Sequence, residues 1–112
     1  MEVIMTLYDK NAGTHESKCT VLKLWALEEV YPKSLTEPQI SERVKKLIPE
    51  KFGSEYFFLL RSPVLMEKFL KDGMRHGHIT KVTPFKYKLT EAGIARIRYI
   101  ETYVLIETEK VS

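Results

Sequence analysis

Four sets of side chains in this 112-residue chain have the chemistry to act on something: His76 with His78, the lone Cys19, the paired carboxylates, and a run of lysines and arginines within residues 61–88. The two histidines lack a third ligand nearby and read as a helix end followed by a strand start, so no metal site is expected there. Cys19 has no histidine at a nucleophile-activating spacing and reads as a small core hydrophobe. Glu28 with Glu29, and Glu107 with Glu109, read as solvated faces and not as an acid–base pair. The five glycines are isolated at turns, which leaves no glycine-rich loop to cradle a phosphate. From these residues we expect no enzyme, no cofactor and no metal.

The basic run is different. Residues 61–88 hold Arg61, Lys68, Lys71, Arg75, Lys81, Lys86 and Lys88 against only Glu67 and Asp72. The rest of the chain has eleven basic and thirteen acidic residues. The formal net charge of +3 is therefore concentrated in one segment, as expected of a face that meets a polyanion. A run of charge can also be an ordinary solvated surface. Asp72 either pairs with Lys68 or Arg75 at helical spacing, or accepts a hydrogen bond from a base edge.

Periodicity and punctuation show which elements must position these cations. Residues 9–13 read as a loop that sets off an N-terminal arm, whose segment 2–8 fits strand or helix equally. Val21, Leu22, Leu24, Trp25, Leu27 and Val30 give a helix from His15 or Ser17 to Val30, stopped by Pro32. Thr36, Pro38 and Gln39 predict a capped start for a second helix, ended by Pro49. Residues 51–60 stay open between a strand and a buried helical turn. Ser62-Pro63 opens a third helix, with Leu65, Met66, Phe69 and Leu70 inward, which ends near His76 before Gly77. The period then falls to two, predicting strands over 78–82 and 85–89 joined at Thr83-Pro84. Thr90 caps a last helix reaching about Glu109, although its β-branched second half also suits a strand. The expected class is α+β, mostly α, with one domain over 14–112 behind an arm over 1–13.

The order helix, helix, helix, hairpin, helix resembles a winged helix-turn-helix. The run from Phe69 through Ile79 resembles a recognition helix passing into the first wing strand. Tyr87-Lys88-Leu89-Thr90-Glu91-Ala92-Gly93 is similar to the junction between wing and last helix in PadR-like and MarR-like regulators, and Ser62-Pro63 resembles the opening of their third helix. The likeness spans roughly residues 18–108. Gly73 departs from it, standing where a leucine is usual, as does Glu67, where PadR-like chains often carry tyrosine. The subfamily is therefore left unassigned.

The resemblance implies double-stranded DNA as partner. The third helix would lie in the major groove with Lys68, Lys71 and Arg75 outward, and backbone N–H groups near Ser62 would face a phosphate. Lys81, Lys86 and Lys88 would meet phosphates or the edge of the minor groove, and Arg61 is a further expected DNA contact. The rivals are a winged-helix protein-interaction module and a DNA-organising or replication-linked protein with little sequence preference.

The last helix carries two apolar stripes. Ile94, Ile97, Ile100 and Val104 form one; Tyr99, Tyr103 and Ile106 form the other. One domain covers one stripe. A homodimer through Tyr99, Ile100, Tyr103, Val104 and Ile106 would cover the second, unless the N-terminal arm does so. The apolar runs at 56–60 and 103–106 fall far short of the roughly 20 residues a membrane span needs. No signal peptide is evident in residues 1–7, and with a single cysteine the expected setting is cytoplasmic and reducing.

Overall fold

A computed structural model describes residues 13–61 and 63–105, with residues 63–65 by backbone alone. The arm over 1–12, the side chain of Leu65, Ser62 and its expected cap, and Ile106 with the end of the last helix lie outside the described residues.

Helix α1 (His15–Glu28) begins where the Thr14 hydroxyl accepts from the Ser17 N–H at 3.0 Å. It is the central element. Val21, Leu22, Ala26 and Leu27 are fully enclosed, and Leu24 and Trp25 nearly so, because α1 packs against α2, α4 and the sheet. Each valine or leucine among them contributes about 1.5–3 kcal/mol on burial.

Strand β1 (Leu35–Thr36) leads directly into helix α2 (Glu37–Lys51), which opens with the expected capping box between Thr36 and Gln39. The expected stop at Pro49 is not observed, and α2 runs two residues past it. Proline suits helical φ and costs one hydrogen bond, tolerable on an exposed final turn. The Phe52 and Gly53 N–H groups both close on the Ile48 carbonyl at 2.9 Å. Gly53 then turns the chain at φ 112°, a value that disfavours a side chain, into a 3₁₀ helix (Ser54–Leu60). That settles the ambiguous segment as helical.

Helix α3 (Pro63–Arg75) ends one residue before the expected position, and Gly77 follows in the left-handed region. Strands β2 (Ile79–Thr83) and β3 (Lys86–Leu89) form the expected hairpin. Strand β1 adds to the free edge of β3, giving an antiparallel sheet of order β1-β3-β2. Helix α4 (Glu91–Tyr99) continues as a π-helical turn (Ile100–Leu105).

The run from Tyr87 to Gly93 has a physical role at each buried position. Tyr87 and Leu89 point into the core. The Thr90 hydroxyl caps α4 through the Gly93 N–H and donates to the Gly77 carbonyl at 2.6 Å. A side chain on Gly93 would collide with the His78 carbonyl, so α4 sits close against the start of β2. Gly73 is explained similarly, since a methyl there would run into Ile79, and its absence lets α3 rest on β2. The molecule is thus mostly helical α+β, with α3 and the hairpin joined through Gly73, Gly77 and Gly93.

Candidate nucleic-acid interface

Helix α3 turns Phe69, Leu70 and Gly73 inward and leaves Glu67, Lys68, Lys71, Met74 and Arg75 exposed. Helical phase places Lys68, Lys71 and Arg75 all on the side opposite the buried stripe. Lys68 is occupied there. Its ammonium lies 2.9 Å from Asp72 and 3.3 Å from Glu16 on α1. Hydrogen bonding to Asp72, then to Glu16, holds its pKa above the ordinary lysine value, and the same bond to Lys68 holds the Asp72 carboxyl below the usual carboxylate range. Arg75 touches Asp72 at 3.5 Å and keeps most of its surface in solvent. Lys71 forms no ion pair among the described residues.

The hairpin carries its cations on two faces. Lys86 and Lys88 line a groove with Pro32, Lys33, Ser34 and Val82. Lys81 faces the other way, in register with Tyr87 and with its ammonium 5.8 Å from that ring. Lys81 is therefore not part of the groove. Lys33, which sequence reasoning did not single out, is brought there by the turn between α1 and β1; the only sequence signal was a lysine beside Pro32. Arg61 is exposed at the end of the 3₁₀ helix, where its N–H bonds the Phe58 carbonyl. The structure does not gather Arg61 with either cluster.

A cleft of about 170 Å³ between α1, α3 and α4 was also not anticipated. Lys23, Lys68, Asp72, His76, His78 and Arg96 are among its lining residues. Lys23 is 7% exposed, donates to the Cys19 carbonyl at 3.3 Å, and lies over the Phe69 ring. Burial lowers its pKa, and burial raises that of the neighbouring Cys19 thiol. The His76 and His78 rings stack at 5.6 Å. Burial, then the charge on Arg96, lowers the pKa of His78. Among the described residues no group of three metal-ligating side chains converges, and no helix is long and apolar enough to cross a membrane.

The two stripes of the last helix separate as their phases require. Ile97, Ile100 and Leu105 are buried within the chain, and Ile94 and Val104 pack half-buried against the same core. Ile100, expected at a dimer contact, is 3% exposed and has no surface to offer one. Val104 faces largely inward for the same reason. Tyr99 and Tyr103 remain exposed and pack on each other at 5.1 Å. Beneath them the indole N–H of Trp25 donates to Glu101 at 2.7 Å, while Arg98 bridges Glu101 and Glu28.

Comparison with protein-family models, with curated proteins and with solved structures returned no match to this chain.

Proposed function

We propose that the chain is a winged-helix, sequence-specific double-stranded DNA-binding protein of the cytoplasm, a transcriptional regulator with no enzymatic step. Helix α3 lies in the major groove, and the hairpin acts as a wing on the phosphate backbone. The observation that carries this reading is charge placement. Lys71 on α3, and Lys33, Lys86 and Lys88 at the hairpin, have no acidic partner among the described residues and stand on elements of the right order for such a domain. Residues 73–90 contain no aspartate or glutamate at all. Tyr99 and Tyr103 support a homodimer in which two copies of α4 meet and present two recognition helices to a pseudo-palindromic site.

A protein-interaction module is favoured by one specific feature, the exposed Phe57 and Phe58 of the 3₁₀ helix, each 40% accessible. Titration of a labelled random duplex by fluorescence anisotropy over a salt series separates the readings. Micromolar binding that falls steeply with salt is the expected result, and selection from a random library then tests for a preferred sequence. A steep salt slope without any preferred sequence points to a DNA-organising protein. Absence of binding at low salt overturns DNA recognition and directs attention to Phe57 and Phe58.

A further inference from the structure

The tip of the β2–β3 hairpin is apolar where a solvated turn would be polar. Phe85 is 76% exposed, the most exposed large hydrophobic side chain among the described residues, and Val82 nearby is 51% exposed. Their placement has a structural cause. The strand pairing jumps from Lys81↔Tyr87 to Thr83↔Lys86, so Val82 is the extra residue of a β-bulge. Such a bulge bends a strand and re-aims its side chains. The Thr83 hydroxyl accepts from the Phe85 N–H at 3.3 Å and so bridges the Pro84-Phe85 turn. An aromatic ring therefore projects from a short, braced support.

Charge identifies what this tip meets. Lys86 and Lys88 line one face of the hairpin with Lys33 and Val82, Lys81 lies on the other, and Phe85 stands beside Pro38 and Glu37 at the tip. The hairpin itself carries lysines and no carboxylate beside this apolar tip, a combination that suits a nucleic acid, which offers phosphates around stacked bases. We propose that Phe85 is a wedge that enters the minor groove and partly unstacks one base step, bending the duplex while lysines of the hairpin hold phosphates. Apolar side chains used in this way kink DNA toward the major groove, most easily at flexible pyrimidine–purine steps. This inference rests on the DNA-binding reading above and adds a deformation to it.

The test uses the full chain and a duplex carrying 2-aminopurine at a central TA step, with a fluorophore pair at its ends. Anisotropy on the same samples reports binding. For the wild type we expect bound duplex to show brighter 2-aminopurine and closer ends. Phe85→Ala should bind within about tenfold of wild type, because the phosphate contacts persist, and should lose both signals. Phe85→Leu should keep them, since leucine also serves as a wedge. Circular dichroism checks that both variants are folded, as expected for an exposed position. Wild type that binds without unstacking overturns the wedge and leaves DNA binding standing; so does a Phe85→Ala variant with unchanged signals. Wild type that fails to bind removes the DNA-binding reading itself, and anisotropy distinguishes that outcome from the others.

Discussion

Lys68 of α3 reaches Glu16 of α1 at 3.3 Å while holding Asp72 one turn further along its own helix at 2.9 Å. Its charge is thus spent twice within the chain, whereas Lys71 is unpaired among the described residues. The cations of α3 should therefore differ in weight. Lys71→Ala and Arg75→Ala should each weaken duplex binding by about 1–3 kcal/mol. Lys68→Ala should have less effect on DNA and a small effect on stability, since exposed ion pairs contribute little. Asp72→Asn should strengthen binding by releasing Lys68 and Arg75. Anisotropy at fixed salt ranks the four variants. Equal losses at 68 and 71 would show that the Lys68 pairs open on binding.

Lys33, Lys86 and Lys88 share one groove although the first lies far from the others along the chain. If each neutralises a phosphate, each alanine substitution should reduce the salt dependence of binding by about one unit of slope and weaken all sequences alike. Lys81→Ala, on the opposite face over Tyr87, should change the slope less. A Lys33→Ala variant with the wild-type slope would take that residue out of the interface.

These contrasts mark where the sequence was legible. The capping box at Thr36, the Thr90 cap and the hairpin all follow from interactions within a few residues, and each is found close to its expected place. Strand β1 escaped because two residues carry no period, and only β3 makes Leu35 and Thr36 a strand. The departure from the regulator-like pattern at Gly73 became intelligible only once Ile79 was seen against it. The candidate site was half legible: local charge density marked α3 and the hairpin, but which cations are engaged by Glu16 or joined by Lys33 depends on contacts between distant segments. Lys23 could not have been read as buried, because an amphipathic pattern assigns lysine to solvent.

Lys23 illustrates the energetic consequence. Its side chain is buried, its ammonium makes one hydrogen bond among the described residues, to the Cys19 carbonyl, and burial lowers its pKa below the ordinary 10.5. An unfolded lysine binds its proton more tightly, so below the folded pKa the charged group opposes folding, and this penalty disappears as pH rises toward 10.5. Lys23→Met keeps the stem and removes the charge. It should stabilise the protein near neutral pH by on the order of 1–2 kcal/mol, and the gain should shrink in alkaline buffer. Denaturant unfolding at two pH values checks both statements. A destabilised variant would mean that the hydrogen bond to Cys19 and the contact with Phe69 outweigh the cost of burying the charge.

The division of the last helix gives a sharper test of the dimer than either stripe alone. Tyr99 and Tyr103 are the exposed aromatic pair, and Ile100 between them points into the core. Introducing charge at the two positions should therefore have opposite readouts. Tyr99→Glu with Tyr103→Glu should leave a folded protein, with unchanged circular dichroism, whose mass by light scattering is that of one chain. Ile100→Asp should instead unfold the domain, since a buried, unpaired carboxylate costs several kcal/mol. If the chain is dimeric and the double tyrosine variant stays so, the interface lies elsewhere. If α3 reads DNA as proposed, its two copies must then be spaced by a different surface, and the half-site separation in selected DNA would report that spacing directly.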